Sequence, residues 1–176
     1  MAVRTVTERP HTTTLTPSAA TGVVDRALEK GASVLSRYSV HLLRISLGLV
    51  FLGFGALKFF PGASPAEELA VATIDKMTFG IVGGSTALLL TAAIETVIGL
   101  TLLTGRFLRA GLVVMAGAMV GIMSPLVLFF GELFPGGLPT IEGQYVLKDI
   151  ILVAAATVVV AHALGARMVP MRQARR

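Results

Sequence analysis

The chain of 176 residues contains no cysteine. Disulfides, thiolate metal sites, iron–sulfur clusters and cysteine nucleophiles are therefore excluded within it, so any redox chemistry needs a bound cofactor or a partner. Charge is also scarce: 14% of the residues are Asp, Glu, Lys or Arg, where soluble domains carry about 25%. So little charge cannot cover a globule that meets water on every side. What fills the chain instead is apolar, with 54% hydrophobic residues and a mean hydropathy of +0.81. The net charge of +5 would suggest a nucleic-acid partner in a soluble protein. On a chain this apolar it is read against a lipid bilayer, and no nucleic-acid partner is expected.

Crossing the hydrocarbon core as a helix takes about 20 mainly apolar residues. Four stretches qualify, at 42–60, 77–104, 111–130 and 146–165. The expected fold is all-α: an integral membrane four-helix bundle preceded by a short amphipathic helix. The third stretch holds no charged residue, and Pro125 within it should kink the helix, leaving a carbonyl that the Ser124 hydroxyl can satisfy. Residues ahead of position 42 do not read as a secretory signal, because Arg4, Glu8, Arg9, Asp25 and Arg26 interrupt them.

Orientation follows from the basic residues, since loops rich in Lys and Arg stay cytoplasmic. Four crossings put both termini on one side, and that side collects all the Lys and Arg except Lys58, Lys76 and Lys148. Acidic residues run the other way, with Glu67, Glu68, Asp75, Glu132, Glu142 and Asp149 on the far side. The modest overall charge is thus the remainder of a strongly polarised one. A multi-pass protein of the cytoplasmic membrane with both termini cytoplasmic is expected.

Outside the spans, residues 1–21 are Thr-rich with two prolines and lack apolar periodicity, which suggests a flexible tail. Residues 22–40 alternate Val23, Ala27, Val34, Leu35 and Tyr38 with charged positions at helical spacing, the pattern of an amphipathic helix on a leaflet surface. The transmembrane domain is then 41–166, and 167–176 form a basic cytoplasmic tail. Ser64, Pro65, Ala66 and Glu67 read as a capping box that opens a short surface helix running to about Lys76. Residues 131–144, with Pro135, Gly136, Gly137 and Pro139, read as an irregular loop. Gly117 and Gly121 form a GxxxG match suited to close helix packing.

Ionisable groups within a membrane cost a few kcal/mol each, so they face the bundle interior, pair or snorkel. Arg44 opens the first span, and Glu95 stands about nine residues, or roughly 14 Å of helix rise, from the cytoplasmic end of the second. Two readings are open: an Arg44–Glu95 pair across the spans, or an Arg44 that snorkels beside a Glu95 neutralised or solvated in a small cavity. A second polar cluster lies near the other surface, formed by Lys58, Glu142, Gln144, Tyr145, Lys148 and Asp149. Lys58 and Asp149 fall at similar depth and can pair, and the phenol and amide suit a quinone headgroup. Lys, Tyr and Phe are equally the ordinary interfacial anchors of any bundle. His41 and His162 share the inner leaflet and could ligate a haem axially, but no further haem signal accompanies them and none is expected. No metal site is expected, and Gly80, Gly83 and Gly84 lack the strand and lysine of a nucleotide loop.

The segments 43–48, Phe51, Gly55, 58–62, 64–67, Glu95, Gly99, 105–106, 124–126 and 142–149 resemble, in order, those of the DoxX-like membrane proteins. The resemblance is closest to the branch related to the reactive-chlorine-resistance inner-membrane protein. It implies a four-helix protein of the cytoplasmic membrane whose relatives include the membrane subunit of thiosulfate:quinone oxidoreductases and proteins of oxidative-stress defence. Without cysteine, the disulfide chemistry of other quinone-linked four-helix oxidoreductases is closed to this chain. The function expected from the resemblance is an accessory or subunit of a redox or oxidative-stress system that interacts with quinone, with a membrane redox partner or a second copy of itself. The residues alone leave open a small oligomeric carrier or channel, and equally a scaffold without chemistry. No self-sufficient catalytic constellation is present, so any enzyme activity would belong to a larger oxidoreductase.

Overall fold

A computed structural model describes residues 19–64 and 66–167. The expected tail over the first residues, Pro65 and the basic segment from 168 on lie outside the described residues. Helices α1 (Ala19–Leu57), α2 (Glu67–Met77), α3 (Gly84–Thr104), α4 (Leu108–Met123), α5 (Pro125–Leu128), α6 (Phe130–Leu133) and α7 (Ile141–Ala163) follow in order, with a 3-10 turn at Pro135–Gly137. No strand occurs among the described residues. Four helical stretches are long and apolar enough to cross a membrane: Gly22–Leu57, Gly84–Thr104, Leu108–Leu128 and Ile141–Ala163.

The chain divides into two compact units, one up to Arg37 and one from Tyr38 on. In the first, α1 leaves Val23, Val24, Leu28, Val34 and Leu35 exposed. Its polar side chains turn back on their own helix, with Arg26 Nε donating to the Gly22 carbonyl at 2.9 Å and Ser33 Oγ to that of Lys30 at 2.7 Å.

The second unit is the bundle. Leu47 and Phe51 of α1, Ile98 and Leu102 of α3, Met115 of α4 and Val159 of α7 meet in its core. Lipid is as apolar as leucine, so such helices gain from close approach and dispersion rather than from leaving water. Small residues permit that approach where α1 crosses α3. A Cβ on Gly99 would stand 2.7 Å from the Leu52 amide nitrogen, one on Gly55 would stand 2.9 Å from that of Thr96, and one on Gly48 would meet Leu103. These contacts fix an antiparallel register in which residue 55 faces 95–96, 52 faces 99 and 48 faces 103.

Several boundaries differ from the sequence expectation. Helix α1 runs unbroken through the expected amphipathic stretch 22–40 into the first span and ends at Leu57, and α7 starts at Ile141, inside the expected irregular loop. Two further differences bear on the site. The second span begins at Gly84 rather than at position 77, because Phe79 (φ 54°) and Gly80 (φ 79°) turn the chain out of α2 in the left-handed region. The capping box at Ser64 does not form. Ser64 Oγ is buried without a hydrogen-bond partner and Ala66 is the N-cap, while the Glu67 carboxylate accepts from the Gly62 amide at 2.8 Å. The third span breaks at Pro125, which has no N–H to offer the Gly121 carbonyl four residues back. Ser124 Oγ donates to that carbonyl at 2.7 Å.

Candidate functional site

A cavity of about 530 Å³ opens inside the bundle, walled by α1, α2, α3, α4, α5 and α7. That volume lies in the range of small-molecule sites, about 300–1,000 Å³. Its walls are mostly aliphatic and aromatic, and the threonines among them are occupied locally. Thr73 Oγ1 donates to the Leu69 carbonyl at 2.6 Å and Thr91 Oγ1 to that of Ala87 at 2.8 Å. The ionisable groups gather at one end, where Lys58, Glu95, Glu142, Tyr145 and Asp149 line the space.

Each arrives there by helix geometry. Lys58 follows the last residue of α1, one turn beyond Gly55, which abuts Glu95. Lys58 Nζ donates to both carboxylate oxygens of Glu95, at 2.8 and 2.6 Å. Their side chains are only 5% and 8% exposed, so the charges neutralise one another away from solvent. On α7 the residues Glu142, Tyr145, Val146, Asp149 and Leu152 recur at three- and four-residue intervals and form one face on the cavity. Thr140 starts that helix, its Oγ1 accepting from the Gly143 amide at 3.1 Å. Asp149 lies close enough to Lys58 and Glu95 for both charges to act on it. It forms no ion pair among the described residues.

The expected Arg44–Glu95 pair is not formed, and the register explains why. Arg44 precedes Gly55 by eleven residues, about 16 Å of helix, whereas Lys58 lies three residues past it. Arg44 instead reaches the opposite end of α3, where its guanidinium packs against Gly105, and its Nε is buried without a hydrogen-bond partner. The expected Lys58–Asp149 pair is replaced by Lys58–Glu95, with Asp149 left as a neighbour. Gln144 and Lys148 do not line the cavity, and the Lys148 ammonium sits 5.1 Å from the centre of the Tyr145 ring. His41 and His162 meet edge to face with ring centres 5.9 Å apart. No group of three or more residues suited to hold a metal ion occurs among the described residues.

Two contributors escaped the sequence reading. Helix α2 covers the cavity with Leu69, Ala70, Thr73, Ile74 and Met77, a helical face visible in the spacing of those positions. Lys76 holds it down, donating to the Leu128 carbonyl at 3.0 Å with its ammonium 4.5 Å from the centre of the Phe129 ring. Gly117 and Gly121 of α4 border the same cavity, and a Cβ on either would meet open space. Their expected role in tight helix packing is therefore not what they do within the bundle.

Comparison with known proteins gives one result: the family model of DoxX matches residues 39–131. Among curated proteins and solved structures, nothing matches the chain.

Proposed function

The chain belongs to the DoxX family of membrane proteins, and on that premise we propose that it is a ligand-binding accessory of a membrane redox system, lodging a quinone-type ring within its bundle. The observation that carries this reading is the cavity, apolar along its walls and polar at the end that holds the Lys58–Glu95 pair. An isoprenoid quinone has that same division, a long apolar tail and a ring whose oxygens need hydrogen-bond partners. Electrons would have to come from and return to a partner protein or small redox carrier, because the chain offers no cysteine and no metal cluster of its own among the described residues. The arrangement weighs against an ion path through Arg44 and Glu95. Both Glu95 oxygens are occupied by Lys58, and Arg44 lies at the other end of the helix.

The reading is tested by titrating menaquinone into the purified protein in lipid nanodiscs, alongside a Gly117→Leu variant. A leucine there projects into the cavity without straining the backbone, since nothing stands within 4 Å of a Cβ at that position. Saturable binding to the wild type that is lost in the variant supports the proposal. Absence of binding to the wild type, or equal binding by both, overturns it.

A further inference from the structure

The charge inventory of the cavity's polar end is unbalanced. Glu95, Glu142 and Asp149 supply three carboxyl groups, and Lys58 is the one cation among the lining residues. The charge of that cation is already balanced and two of its three N–H groups are committed, since its Nζ bonds both oxygens of Glu95. Asp149 is left half-buried on an apolar cavity as an acceptor without a donor. A carboxylate so placed is costly until an N–H or O–H reaches it. Tyr145 stands one turn earlier on the same face, and no hydrogen bond joins the two side chains.

We infer that the site selects a ligand whose head donates hydrogen bonds, and that Asp149 is the residue that makes the selection. Resting on the quinone-type reading above, the preferred form is the reduced quinol rather than the oxidised quinone. A quinol carries two O–H groups and satisfies the aspartate with one of them. A quinone offers only carbonyl lone pairs, which the carboxylate repels. A hydrogen bond to a charged group contributes enough to separate the two forms by about tenfold in affinity. This is a statement about binding alone: no bond is made or broken at Asp149, and its role is to position the head.

The test measures dissociation constants anaerobically for a short-tailed naphthoquinol, the matching naphthoquinone and the dimethyl ether of the quinol. The protein is full-length wild type or Asp149→Asn, in nanodiscs. In the wild type the quinol should bind about tenfold more tightly than either the quinone or the ether, which keeps the ring and lacks the donor. In Asp149→Asn, whose amide both donates and accepts, the three should fall within about threefold of one another. If the variant does not fold, the ether comparison on the wild type decides. Equal binding of all three to the wild type overturns the inference and leaves the cavity reading standing. Tighter binding of the quinone also overturns it, since it would mean that a donor on the lining, and not the Asp149 carboxylate, selects the head. Failure of all three to bind overturns the underlying quinone reading instead.

Discussion

Replacing Lys58 by methionine strands the Glu95 carboxylate in the bundle. Methionine matches the lysine stem, so packing is largely kept while the ammonium is lost. Breaking a buried pair from one side costs about 3–5 kcal/mol, and an acidic residue at the centre of a membrane helix costs about 2.5–3.5 kcal/mol on insertion scales. With side chains 5% and 8% exposed, little solvent relieves the stranded charge, and a loss of about 3 kcal/mol is expected. Glu95→Leu alone should cost a similar amount by stranding the ammonium. The double variant removes both charges and should return to within about 1 kcal/mol of wild type, because an apolar pair substitutes well for a buried ion pair. Reversible unfolding in mixed micelles, followed by far-UV circular dichroism, gives the four free energies of the cycle. Arg44→Met serves as the contrasting partner, and its effect should add to that of Glu95→Leu within about 0.5 kcal/mol. A Lys58–Glu95 coupling below about 1 kcal/mol, or a larger coupling between Arg44 and Glu95, would refute the register of α1 on α3.

Two further predictions concern the backbone. Gly99→Ala brings a Cβ to 2.7 Å from the Leu52 amide nitrogen and 2.9 Å from the Gly48 carbonyl oxygen, neither of which can move alone. It should cost about 1–3 kcal/mol as overpacking, whereas Gly121→Ala, which meets open space, should be neutral or gain up to about 1 kcal/mol from helix propensity. The reverse order in an unfolding assay would place the helix contact on the wrong glycines. Ser124→Ala removes the shorter of the two hydrogen bonds that the Gly121 carbonyl accepts, 2.7 Å from the hydroxyl against 3.3 Å from the Ser124 amide, and should cost about 1 kcal/mol. The loss should shrink when Pro125→Ala restores an amide donor for that carbonyl, and an undiminished loss would show that the hydroxyl acts elsewhere.

Much of the fold was legible because the chemistry that dictates it is local. About 20 mainly apolar residues in sequence announce a span whatever surrounds them. The pairing of Ser124 with the carbonyl freed by Pro125 follows from residues adjacent in sequence, and the depth shared by Lys58 and Asp149 follows from counting along two helices. The partner of Glu95 was not legible, and the reason is specific. Counting back from the end of the second span places Glu95 nine residues in, and α3 does end at Thr104. A count along one helix does not say how far α1 is displaced along α3, and that register is set by Gly55 against Thr96 and Gly99 against Leu52. The cavity itself was also hidden, because an empty space is a property of six helices together. A glycine such as Gly117 reads as a packing surface until the structure shows that nothing packs there. The contact of Lys76 with the Leu128 carbonyl was hidden for the same reason, since it joins two elements 52 residues apart.

That the bundle encloses a ligand site is tested most directly by native mass spectrometry of the protein released from its own membranes. Wild type should be compared with a Gly117→Leu/Gly121→Leu variant whose cavity is filled. The expected result is one small lipophilic molecule retained per chain in the wild type, absent from the variant, with equal amounts of ordinary phospholipid on both. Identical adducts on the two proteins, or none on either, would contradict it.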